Sequence, residues 1–167
     1  MTHTNEPRIY VSTYRKYNEG NLNGAWLTLT DYDTHEDFMQ ACRELHADEE
    51  YPELMYQDYI NFPETWYDES SLPEEIFDKI LEYAELDEDQ REAVTEYLEE
   101  NDSKADIRNI IDLYCGQYDS LADYAEQTAE IPAEMERYAY YIDWERYARD
   151  LRLDGFVITS SGHVFYY

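Results

Sequence analysis

Ser71-Leu72-Pro73-Glu74-Glu75-Ile76-Phe77-Asp78-Lys79-Ile80-Leu81-Glu82-Tyr83-Ala84 sets the character of the chain. Ile76, Phe77, Ile80, Leu81 and Ala84 recur at helical spacing, which predicts an amphipathic helix. Ser71 ahead of Pro73 and Glu74 predicts its start, with Ser71 as cap and Glu74 answering in a capping box. A second helix is expected after Asp87, burying Ala93, Val94, Tyr97 and Leu98. Nearly every other position in these two helices is Asp or Glu. Like charges at i,i+4 cost a few tenths of a kcal/mol per pair. A surface shaped for stability alone would intersperse both signs.

The excess extends outward unevenly. The 167 residues hold 40 acids and 12 Lys plus Arg, a formal net charge of −28. Residues 1–47 carry −3, residues 48–102 carry −19 with only Lys79 and Arg91 as bases, and residues 103–167 carry −6. Such a balance excludes a protein that grips phosphate backbone, which needs clustered bases. Docking on an anionic membrane is excluded likewise. High net charge often signals disorder, but 19 Tyr and 16% aromatic residues supply material for cores. The chain reads as folded, acidic and soluble.

The flanks read as mixed structure. Arg8–Thr13 and Ala25–Thr30 are β-rich, joined by an Asn- and Gly-dense connection over Tyr17–Gly24. Thr34 is expected to cap a helix from His35 to about His46 with Phe38, Cys42 and Leu45 on one face. Leu54–Ile60 reads as a third strand. Farther on, Ile111, Leu113 and Cys115 alternate as a strand would, although a helix over Ser103–Cys115 fits almost as well. Helices are expected over Asp119–Thr128 and Pro132–Leu151. Phe156–Ser160 and His163–Tyr167, flanking Ser161-Gly162, predict a hairpin. The expected class is α+β in three segments. These are an N-terminal sheet plus helix (1–61), an acidic helical domain (62–103) and a C-terminal sheet with helices (104–167).

Catalytic patterns are weak. Adjacent carboxylates such as Asp87 and Glu88 are too common here to suggest glycosidase chemistry. His3, His35, His46 and His163 lack metal-ligand spacing, and His35 and His46 read as surface residues. Asp31, Asp33 and Glu36 lack the glycine and twelfth-position Glu of a calcium loop. Cys42 and Cys115 form no CxxC pair, and no phosphate-binding or nucleophile motif is present. No cofactor, metal site or catalytic residue is therefore expected. No apolar run reaches bilayer length. The opening Met1-Thr-His-Thr-Asn-Glu-Pro7 does not resemble a signal peptide. A cytoplasmic location is expected.

Three roles suit −28: solubility of the halophilic kind, diffuse cation binding, or imitation of a polyanion. Duplex DNA carries one charge per about 1.7 Å, so 28 charges match about 48 Å of duplex, roughly 14 base pairs. The candidate mimic carboxylates are Glu53, Asp58, Glu64, Asp68 and Glu69, then Glu74, Glu75, Asp78, Glu82 and Glu85. Asp87, Glu88, Asp89, Glu92, Glu96, Glu99, Glu100 and Asp102 follow in the second helix and beyond it. The alternative is an acidic cation- or protein-binding module unrelated to DNA. In the last segment, Arg137, Arg146, Arg149 and Arg152 lie among Tyr138, Tyr140, Tyr141, Trp144 and Tyr147. They either pair with Glu134, Glu136, Glu145 and Asp150 or mark an interface.

Tyr14-Arg-Lys-Tyr17-Asn18-Glu19-Gly20-Asn-Leu22-Asn-Gly24-Ala-Trp26 resembles the opening of the ArdA antirestriction proteins. Tyr141-Ile142-Asp143-Trp144-Glu-Arg-Tyr147-Ala148-Arg149-Asp150-Leu151 and the following hairpin resemble that family's closing segment. The resemblance is specific at both ends and rests on acidity in the middle. It implies a DNA mimic, carried by plasmids or conjugative elements, that inhibits type I restriction–modification enzymes at their specificity–methyltransferase core. It also implies an elongated protomer of three small domains that forms a homodimer through the last one. Tyr138, Tyr141, Trp144 and Tyr147 are the interface candidates.

Overall fold

A computed structural model describes residues 5–167. His3 and the first four positions of the N-terminal segment lie outside them. The fold is mixed α+β, and its contacts cluster into two compact units, one ending at Arg91 and the other beginning at Glu92.

In the first unit, β1 (Arg8–Thr13) lies between β2 (Ala25–Thr28) and β3 (Leu54–Ile60), both antiparallel to it. A register shift between Tyr10 and Val11 marks a bulge against β3. The turn-rich connection begins with a helix the sequence did not suggest, α1 (Tyr14–Asn18), because Thr13 accepts the Lys16 N–H as its cap. Gly20 follows at φ 67°. A Cβ at Gly24 would sit 2.6 Å from Tyr10 Cε1 and from the Val11 carbonyl, so this position must stay small.

Thr34 caps α2 (His35–Leu45) as expected, accepting from the Asp37 N–H at 3.1 Å. The buried face differs from the expected one. Phe38 and Cys42 are buried, but Leu45 is exposed and His46, one residue past the helix, is fully buried. His46 is four residues on from Cys42, so it continues the inner row that Leu45 leaves. Burial pushes the Cys42 thiol up to about 12. Phe38 stacks on both Tyr56 and Phe77, at 6.3 and 5.7 Å between centroids, joining α2 to β3 and to α3 (Glu74–Ala84). Ser71 is not the cap of α3. Its N–H and hydroxyl are directed to Asp68 Oδ1, and Pro73 takes the capping position with no side-chain bond.

Contacts divide within α4 (Glu88–Glu100), whose Ala93, Val94, Tyr97 and Leu98 are all buried. In the second unit, α5 (Ile107–Leu113) passes directly into β4 (Tyr114–Gln117), so each reading of that stretch holds for part of it. α6 (Leu121–Thr128) follows, capped by Ser120. The long helix expected over Pro132–Leu151 is two elements. Ala133–Tyr141 is a 3-10 segment, and α7 (Trp144–Leu153) begins afresh because the Asp143 carboxylate accepts the Arg146 N–H. β5 (Phe156–Ile158) and β6 (His163–Tyr166) form the expected hairpin, with β4 on the other side of β6. Leu121, Ala122, Ala148 and Val164 pack together beneath it. No described helix is long and apolar enough to cross a membrane.

Candidate functional site

All the candidate carboxylates except Glu82 and Glu96, which are half-buried, belong to exposed residues. They divide by what they touch. On α3 and at its C-cap, Glu74, Asp78 and Glu85 lie within about 40° of one another around the helix axis. Among the described residues their carboxylates make no hydrogen bond or ion pair, and neither do the carboxylates of Glu53, Glu64, Glu69, Glu88, Asp89 or Glu99.

The two bases of the segment do not offset that row. Lys79 pairs along its own helix with Glu75 at 3.5 Å. Arg91 closes the C-terminal end of α3, where carbonyls concentrate negative potential. It donates to the carbonyls of Leu86 at 3.1 Å and Ala84, and its guanidinium lies 5.6 Å from the Tyr83 ring centroid. Arg91 Nη1 also reaches the Asn5 carbonyl at 2.6 Å.

Other candidates hold local backbone. Asp58 Oδ1 accepts the Tyr59 N–H, Asp68 Oδ1 those of Ser70 and Ser71, and Asp102 Oδ1 that of Lys104. Asp87 and Gln90 exchange bonds, each side chain accepting the other's N–H, which fixes the start of α4. Glu92, Glu96 and Glu100 face the β5–β6 turn. Glu92 Oε2 lies 3.5 Å from His163 Nε2, Glu96 Oε2 accepts the Ser161 N–H, and Glu100 accepts the Ser160 N–H and hydroxyl. Burial pushes the Glu96 carboxyl up. Hydrogen bonds from Ser161 and Thr159, with His163 nearby, outweigh that effect and hold it below the usual range.

The sequence reading missed a buried charge cluster in the N-terminal motif. Lys16 is 5% exposed, and its Nζ lies 2.8 Å from His46 Nδ1 and 2.8 Å from Asp48 Oδ1. Glu49 Oε1 accepts from Thr13 Oγ1 at 2.7 Å and lies 3.9 Å from the ammonium. Because Lys16 can only donate, His46 Nδ1 must accept, and Nε2–H donates to the Val11 carbonyl at 3.3 Å. Burial, then the Lys16 charge, lowers the His46 pKa and keeps the ring neutral. The expectation of a surface His46 is thus corrected. His35 is half-buried, with Nε2 2.7 Å from the Leu72 carbonyl.

In the second unit, Tyr138 and Tyr141 are exposed, the latter at 80%, and Tyr147 is exposed on α7. Trp144 is half-buried and packs on the Leu121–Ala148 cluster. The Arg137 guanidinium sits 4.8 Å from the Tyr138 ring centroid. Among the described residues, Arg137, Arg146, Arg149 and Arg152 form no ion pair within 4.0 Å. No group of three His, Cys, Asp or Glu side chains converges on a metal-sized site among the described residues.

Comparison with known proteins gives one family. A family model described as "Antirestriction protein (ArdA)" matches residues 9–165. No curated protein matches the chain.

Proposed function

The chain belongs to the ArdA family of antirestriction proteins, and from this we propose that it mimics double-stranded DNA and competitively inhibits type I restriction–modification enzymes. The observation that carries the reading is the row of unpartnered carboxylates on α3, within a segment of net charge −19. Carboxylates that serve the fold have donors. These have none, so their charge is available to Lys and Arg side chains that otherwise hold phosphate.

The linear density sets how the imitation works. α3 spans 11 residues, about 16 Å at 1.5 Å per residue. It carries Glu74, Glu75, Asp78 and Glu82 against Lys79. That is a net charge every 5 Å or so, about a third of the duplex density. One helix is insufficient; several acidic elements must face the partner together. Affinity is then distributed, because such a partner reads charge and position rather than one group.

In this proposal the inhibitor occupies the DNA groove of the specificity–methyltransferase core, in the cytoplasm, and shields DNA entering on a plasmid or conjugative element. The three-segment arrangement 1–61, 62–103 and 104–167 is retained as a proposal, with homodimerisation through the last segment. The exposed Tyr138, Tyr141 and Tyr147 and the four arginines without carboxylate partners support a protein interface there, since Tyr and Arg favour interface cores. A sizing measurement tests the dimer, which Y138A/Y141A/Y147A should convert to monomer.

The deciding experiment is competition for a purified type I specificity–methyltransferase complex. Binding should be mutually exclusive with target duplex and should weaken steeply with salt. A complex that forms alongside bound duplex and ignores salt overturns the reading.

A further inference from the structure

The second unit contains a receptor for its own carboxylates. At the β5–β6 turn, the Ser160 N–H lies 3.3 and 3.2 Å from the two Glu100 oxygens, and the Ser160 hydroxyl donates to the same carboxylate. The Ser161 N–H donates to Glu96 Oε2 at 3.3 Å. One turn earlier on α4, Glu92 approaches His163, whose other ring nitrogen lies 2.7 Å from the Tyr114 hydroxyl. The three acids are spaced i, i+4 and i+8, one row of a helix.

The turn is held from its other side as well. Gln117 Nε2 donates to the Ser161 carbonyl at 2.9 Å, and the Tyr118 N–H to the Gly162 carbonyl at 2.8 Å. Gly162, at φ 92°, lies so close to the Tyr118 carbonyl that a Cβ would collide with it. Among the described residues, nothing comparable engages the carboxylates of Glu74 and Asp78 on α3 or of Glu85 at its C-cap.

We propose that Glu96 and Glu100 are positioning residues, a clasp that fixes the β5–β6 turn, with Glu92 set in the same row beside His163 at the start of β6, and that the row does not serve as phosphate-mimicking groups. The acidic surface then has two parts with the same composition and different work. This division rests on the functional reading above, whereas the clasp itself does not. A carboxylate already accepting two or three N–H and O–H bonds has few lone pairs left for a partner's guanidinium. Losing the acceptor leaves turn donors without partners; losing only the negative charge need not, because a Gln side chain keeps one carbonyl oxygen.

Two measurements test the pair of claims. Amide hydrogen exchange reads the clasp: in E96A/E100A the Ser160 and Ser161 N–H groups should exchange at least about tenfold faster, as expected for loss of roughly one hydrogen bond each. In E74Q/D78N/E85Q their exchange should be unchanged. Unchanged exchange in E96A/E100A overturns the clasp. Should that variant not fold, the single variants E100A and E96A serve instead, read at the Ser160 and Ser161 N–H groups respectively, and unchanged exchange in both overturns the clasp. Binding to the methyltransferase reads the division. E74Q/D78N/E85Q should weaken it about tenfold and E92Q/E96Q/E100Q less than about twofold, three charges being removed in each. Equal losses overturn the division. If the parent protein binds no methyltransferase, the functional reading falls while the exchange result still decides the clasp.

Discussion

The protein treats charge in two opposite ways. Around Lys16 each charged group is matched: the ammonium has His46 and Asp48 at 2.8 Å, and Glu49 is held by Thr13. Along α3 and its C-cap, Glu74, Asp78 and Glu85 share a face with no donor among them. The first arrangement follows from burial, because a charge removed from water must be compensated locally. The second is tolerable only because water solvates it. The contrast shows that the unmatched acids are not a general failure to pair charges. Where pairing serves the fold, the chain supplies it; along the row of Glu74, Asp78 and Glu85 it is withheld.

Breaking the matched cluster should have the largest effect. Lys16→Met keeps much of the buried volume and removes the ammonium, stranding His46 Nδ1 and the nearly buried Glu49. Removing one partner of a buried pair costs about 3–5 kcal/mol. With Asp48 solvent-facing, a loss near 3 kcal/mol is expected in urea unfolding. A loss below about 0.5 kcal/mol, the range of ordinary surface changes, would erase the distinction between the two regions.

The same cluster predicts a pH dependence. His46 has a lowered pKa in the fold, through burial and then Lys16, so the unfolded chain binds its proton more readily. Stability from this group is fully present above the unfolded value, about 6.5, and is lost as pH falls below it. Asp48, lowered mainly by its bond from Lys16, loses its contribution only at more acid pH. Unfolding free energy should therefore decline between pH 7 and 5, and His46→Gln should flatten that decline. An unchanged slope would remove His46 from the account.

The two regions also differ in how legible they are from sequence. The α3 and α4 stripes are set by local period, so Phe77, Ile80, Val94 and Leu98 lie inside as expected. Thr34 acts within three residues and was equally readable. His46 was not, because its partner Lys16 lies 30 residues away. Ser71 misled because Asp68, three residues earlier, takes its donors before Pro73 starts the helix. Asp143 restarts a helix that the Tyr and Arg pattern ran through unbroken. Exposure of the acids was legible from composition. The engagement of Glu100 was not, since Ser160 is 60 residues away.

The smallest expected effect on stability is the most discriminating for the unmatched region. Neutralising α3 with E74Q/D78N/E85Q removes three like charges that have no counterions in the fold. If they were structural, unfolding free energy would fall by the 1–3 kcal/mol typical of a lost charged hydrogen bond. If they only repel one another, it should rise by a few tenths of a kcal/mol per relieved pair. A gain of about 0.5 kcal/mol is expected in dilute buffer. Salt supplies the control, because at 1 M the Debye length is about 3 Å and exposed repulsion is screened. The parent and the variant should then converge in stability. A gain that persisted at high salt would have to come from helix propensity or packing, and the α3 acids would lose their standing as a purely electrostatic surface.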